Sequence, residues 1–174
     1  MKMKLSEINP MPEYFERYMN KCDDVDILTA IEISIKEVEQ IPVDKWNSIG
    51  LKTYAPGKWT INDILQHLID TERIFIYRAL SIARGEKQPL PPFSENDYVT
   101  EANASVRGLE TLISELLNLH RSLLDMYRSF TPDILLRKGK SFAGEYTAAD
   151  IGFILPGHQR WHFDVIRERY MSLI

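Results

Sequence analysis

The sequence predicts an all-α protein, a four-helix bundle, on three observations. Apolar residues recur every three or four positions along four long stretches. Prolines and glycines gather mainly between those stretches. Two of the stretches open on a threonine followed three residues later by an aspartate, the pairing that caps a helix N-terminus.

From Asp26, the residues Ile27, Leu28, Ile31, Ile35, Val38 and Ile41 form one apolar stripe, and Pro42 ends it. Ahead of it, PEYFERYMNKC reads as a short helical prelude. The second helix starts at the Thr60/Asp63 capping pair and runs through Ile64, Leu65, Leu68, Phe75 and Leu80 to Gly85. The proline-rich EKQPLPPFSENDYV is expected to be an extended crossover. A third helix carries Leu109, Leu112, Ile113, Leu116, Leu123, Leu124 and Tyr127 and stops near Thr131-Pro132. LRKGKSFAGEY reads as a polar loop. The last helix starts at Thr147, paired with Asp150, and runs to about Met171; Pro156 removes a backbone hydrogen bond, so a kink or local break is expected there.

With 174 residues, 44% hydrophobic and 26% charged, the chain fits one domain over residues 1–174. Its net charge of −4 is spread without a basic block, which speaks against nucleic-acid binding. No apolar run approaches the length needed to span a membrane. The single Cys22 cannot form an internal disulfide, and MKMKLSEINP has no apolar stretch behind its lysines, so the expected location is a reducing cytoplasm.

The chemically informative residues are His158 and His162 in PGHQRWHF, with His67 as a third candidate. Positions i and i+4 of a helix lie on one face, about 5–6 Å apart at Cβ, so both imidazoles can tip toward one cation. His67 lies on the second helix, and bundles build metal sites from facing helices.

The run GKWTINDILQHLIDTERIFIYRALSIARGEKQPLPPFSENDYV, followed by PGHQRWHF, resembles the DinB superfamily, in particular its branch of YfiT-type metal-dependent hydrolases and bacillithiol transferases. The likeness covers most of the chain. It rests on Trp59-Thr60 opening a helix, His67 followed by Asp70 and Glu72-Arg73, and the Gly-His-x-x-x-His of the last helix. It implies a DinB/YfiT bundle in up-down-down-up order, a homodimer, and metal ligation by His67, His158 and His162.

Three neutral imidazoles suit Zn or Ni, with Fe also allowed, and leave coordination positions open for water or substrate. The function expected is a metal-dependent thiol S-transferase or hydrolase, activating a low-molecular-weight thiol or water against a small electrophile. The alternative is a non-catalytic metal-binding stress protein or dimeric scaffold, which a fourth protein ligand such as His120 would favour.

Other residues have competing readings. Asp70 is expected to receive the second ring nitrogen of His67, since it shares a helix face with it, whereas Asp164 does not share one with His162. Glu72 and Arg73 read as a solvated face. His120 reads as a hydrogen-bonded core histidine, and Cys22 as inert. Trp59, Trp161 and Phe75 either line a pocket or fill the core, the latter being usual for aromatics at helical spacing. An acidic thiol cosubstrate would call for a cation near the pocket, from Arg73, Arg78 or Arg160.

Overall fold

The computed structural model describes residues 3–174. Its α-helices are α1 (Glu16–Met19), α2 (Ile27–Glu39), α3 (Val43–Ile49), α4 (Ile61–Ala83), α5 (Glu95–Ala102), α6 (Leu109–Arg128), α7 (Pro132–Leu135) and α8 (Ala148–Val165). The long ones begin where side-chain caps satisfy free backbone N–H groups. Asp26 accepts from Leu28 and Thr29, and Thr60/Asp63 and Thr147/Asp150 form reciprocal capping boxes.

Helices α2 and α4 each pack along both α6 and α8, which sets α2 and α4 on one diagonal. Cross-helix partners give the directions. Ile27 meets Gly152 and Ser34 meets Gln159, so α2 and α8 run parallel. Glu32 pairs with Arg128 and Glu39 with Arg121, so α6 runs against α2. Asn62 reaches Arg107 and Glu72 reaches His120, so α4 runs with α6. The order is therefore up-down-down-up.

The apolar interior falls into two clusters. One gathers Ile27, Ile31, Phe75, Leu123, Tyr127 and Phe153; the other gathers Val38, Leu65, Ile69, Leu112, Leu116 and Ile166. Between them on their respective helices lie the buried polar residues Ser34, Glu72, His120 and Gln159.

Three connections differ from the sequence reading. Ser94 caps a helix inside the expected crossover, accepting from the Asp97 N–H, so only the stretch before it lacks regular structure. The expected polar loop is a hairpin of β1 (Lys138–Ser141) and β2 (Gly144–Thr147), antiparallel, with Lys138 opposite Thr147. Four-residue strands are too short to show a period of two. Helix α3 follows Pro42 directly; it too is short, and the sequence reading had assigned nothing there.

The break expected at Pro156 does not occur, and α8 continues through it. The proline ring crowds the carbonyl one turn earlier, and that residue is Gly152, whose missing side chain makes room for Ile27 and Tyr127. Gly157 next to it lies against the backbone of α1, where a Cβ would overlap the Tyr18 carbonyl oxygen. Helix α1 can approach only because that position is bare. Gly157→Ala is expected to destabilise the fold by about 1–3 kcal/mol, the usual cost of overpacking, measured by urea denaturation; an unchanged midpoint would show that α1 can retreat freely.

Candidate metal centre

His67 comes from α4 and His158 and His162 from consecutive turns of α8, which runs opposite to α4, so the three rings converge across one helix pair. His158 Nε2 lies 3.1 Å from His67 Nε2 and 3.1 Å from His162 Nε2. A ligand atom from each ring lies within 4.8 Å of the others. His67 and His158 are buried and His162 is half-buried.

This geometry fits a shared cation better than hydrogen bonding among the rings. A neutral imidazole nitrogen carries either one proton or one lone pair, so His158 Nε2 cannot satisfy both neighbours. A pair of nitrogens 3.1 Å apart matches two ligands about 2.1 Å from one ion, and the third histidine is close enough to join them.

Electrostatics keeps the lone pairs available. Burial lowers the His67 pKa to about 4. Burial, then the charge His67 would carry, lowers that of His162 to about 3. His158 falls well below the ordinary value through burial first, then through the charges on His162, His67 and Arg17. All three are neutral at pH 7.

The surroundings hold the rings in place. Thr71 Oγ1 lies 3.4 Å from His67 Nδ1, one helical turn away; with Nδ1 protonated toward it, Nε2 presents its lone pair to the other histidines. Trp59 tilts against His67, with ring centroids 4.9 Å apart, and stacks with His162 at 6.3 Å. Tyr18 stands edge-on to His158 at 5.0 Å. Two openings reach the centre. A cleft of about 260 Å³ between Tyr54, Trp59, Asn96 and Tyr170 ends at His162. An aromatic crevice with Tyr18, Phe75 and Phe142 in its walls ends at His158.

Several expectations about the neighbours are corrected. Asp70 accepts from Gln66 at 2.9 Å and lies 3.7 Å from Arg73, leaving Thr71 as the partner of His67. Glu72 is only 2% exposed and is not on a solvated face. Its carboxylate lies 2.6–2.7 Å from His120 Nδ1; on the other side His120 Nε2 meets Gln159 Oε1 at 2.5 Å, and the Gln159 amide donates to Ser34 O at 3.1 Å and Glu37 at 3.2 Å. One chain of polar contacts thus crosses all four long helices. His120 is the hydrogen-bonded core residue expected, committed on both ring nitrogens. No single-residue motif could reveal Gln159, because its role depends on three other helices.

Other side chains fall as read. Arg73 is exposed and pairs with Glu115. Asp164 pairs with Lys21 and Arg167. Cys22 donates to Phe153 O, and burial pushes its thiol up to about 12, so it is inert. Trp59 lines the cleft, Phe75 belongs to the core and floors the crevice, and Trp161 is 37% exposed. Arg160 is taken up by Asp23 and Glu37, whereas Arg78 is buried at the crevice.

Residues 27–166, well over half of the chain, match the DinB superfamily model. The chain belongs to the DinB superfamily. Among solved structures this DinB-superfamily chain is similar to YfiT from Bacillus subtilis, described as a probable metal-dependent hydrolase with an unusual four-helix bundle topology. The TM-score is 0.68 at 17% identity, over 90% of this chain and 85% of that one, a likeness of fold. No curated protein matches in sequence. Among the described residues, no helix is long and apolar enough to cross a membrane.

Two outcomes are expected. Because the folded pKa values of His67 and His162 lie below the unfolded value near 6.5, their contribution to stability is complete above pH 6.5 and is lost as pH falls from 6.5 through about 4 for His67 and about 3 for His162. Urea denaturation of metal-free protein across that range should show the fall, and His162→Gln should flatten it. Glu72→Leu leaves His120 buried without its carboxylate and should cost about 3–5 kcal/mol, read from the same denaturation curves.

Proposed function

We propose that this protein is a metal-dependent enzyme in which His67, His158 and His162 hold one divalent transition-metal ion. The observation that carries the reading is that the three histidines converge while His120, the remaining histidine, is committed to Glu72 and Gln159. Three protein ligands with no fourth mark the catalytic type of site. Among the described residues, the groups able to hold an ion in this way are these three histidines alone.

When bound, the cation would supply Lewis acidity and make water or a small thiol nucleophilic at neutral pH. The chain's own residues do the rest. Thr71 Oγ1, 3.4 Å from His67 Nδ1, would accept its proton and leave Nε2 free for the ion. Tyr18 and Trp59 cover the flanks of the rings and limit water around them. The half-buried His162 faces the cleft through which a reactant could enter. The reaction proposed is attack by water or a low-molecular-weight thiol on a small electrophile. The fold shared with a probable metal-dependent hydrolase supports the hydrolytic form; Zn and Ni suit the imidazole set, and Fe(II) is chemically compatible.

The experiment is metal content by mass spectrometry on tag-free protein purified without chelator, with His158→Ala alongside, followed by screens of thiol conjugation and ester or amide hydrolysis. About one divalent ion per chain is expected, absent from the variant, with turnover that disappears on chelation. Protein that refuses Zn, Ni and Fe(II), or loaded protein inert across both screens, would overturn the proposal and leave a non-catalytic scaffold.

A further inference from the structure

Arg78 is 1% exposed, on the same helix as His67. One of its nitrogens is accounted for, as Nη2 donates to the Pro91 carbonyl at 2.7 Å and so ties the crossover to α4. Nε and Nη1 are buried and meet no hydrogen-bond partner among the described residues. The cation is surrounded by aromatic rings instead, its guanidinium carbon 4.7 Å from the centroid of Phe75, 5.8 Å from Phe93 and 6.0 Å from Phe142. Ring faces attract a cation but do not satisfy in-plane N–H groups as a lone pair does. A buried guanidinium with idle donors is costly unless an anion completes it.

The location gives that cost a use. Arg78 and His158 line the same crevice, with Thr71 and Phe75 between them along α4 and Phe142 from the hairpin tip across from them. Glu95 also lines the crevice, but it is exposed and feels the charge of Arg17 rather than pairing with Arg78. His67 and Arg78 are eleven residues apart, about 16 Å along the helix axis, and long helical side chains lean back toward the N-terminus, which shortens the gap. The free space is about 20 Å³, enough for little more than a small anionic head.

We propose that Arg78 is the anion-binding residue of this site, and that the substrate carries a carboxylate which Arg78 holds beside the three-histidine centre. A planar guanidinium matches a carboxylate in shape and charge. The phenyl rings around the guanidinium exclude water from the pair. Holding the crossover needs only Nη2, so a purely structural Arg78 leaves Nε and Nη1 unexplained. The inference rests on the proposed metal centre only for what the carboxylate is bound beside; the anion site itself stands on Arg78.

The test uses formate and acetate as probes, with formamide and acetamide as uncharged controls, titrated by calorimetry into metal-loaded and chelator-treated protein. Binding of a carboxylate in both forms is expected, with the amides silent, and Arg78→Met should weaken it about tenfold or more, the scale of a lost charge-assisted hydrogen bond, without changing metal content. In the wild type, which needs no variant to fold, the Arg78 Nε–H resonance should shift on titration. Binding that survives Arg78→Met, binding that vanishes with the metal, or a resonance unmoved at saturating carboxylate would overturn the proposal. Protein that takes up no Zn, Ni or Fe(II) yet still binds acetate through Arg78 would refute the metal centre alone, so the two failures are distinguishable.

Discussion

The structure depends on the need of buried polar groups for partners. Glu72, His120 and Gln159 lie in the interior between two apolar clusters, and each is tolerable there only because the next one satisfies it. Since α2 closes the chain of contacts through Ser34 and Glu37, a shift of any long helix along its axis would strand a polar atom. Hydrophobic packing alone would accept several registers; this layer accepts one.

The three-histidine cluster inherits that register. Gln159 follows His158 directly, and successive helical residues point about 100° apart. With Gln159 turned toward α6 and α2, His158 must face α4 and α1, and His162 one turn on follows it. The histidines are thus aimed by a residue that ligates nothing. The bare edges of Gly152 and Gly157 let α2, Tyr127 and α1 close over the same stretch of α8, which is why the ring of Tyr18 reaches His158.

Two opposite electrostatic regimes result from neighbouring positions. Burial, with no carboxylate hydrogen-bonded to any of the three rings among the described residues, keeps the converging histidines neutral. Burial would also lower the pKa of His120, but the charge of Glu72 and the hydrogen bonds with Glu72 and Gln159 raise it. His120 therefore contributes stability that is present below pH 6.5 and lost as pH rises through its raised value, opposite in sign to the converging set. The same residue type is kept neutral where three copies converge and is drawn toward its charged form where a carboxylate is within hydrogen-bond reach.

Much of this was legible in the sequence. Periodicity and capping give α2, α4, α6 and α8, because an amphipathic helix is written locally in its apolar spacing and its first turn. The pairing of His158 with His162 is equally local. Joining them to His67 rested on its place on a facing helix and, more firmly, on the family resemblance, since ninety residues intervene. Glu72 misled because a carboxylate among charged neighbours reads as surface, and only α6 supplies the imidazole that lets it be buried. Asp70 misled because sharing a helix face does not fix which way a side chain turns; Gln66 and Arg73 claim it. The hairpin, α3 and α5 were too short to carry a period. By itself the sequence determined which segments are helical and which residue types could bind a metal, both consequences of nearest-neighbour chemistry. The tertiary structure alone decided which groups are buried, which pairs satisfy one another and which cation is left with donors to offer, because burial and partnership are set by chain segments distant in sequence.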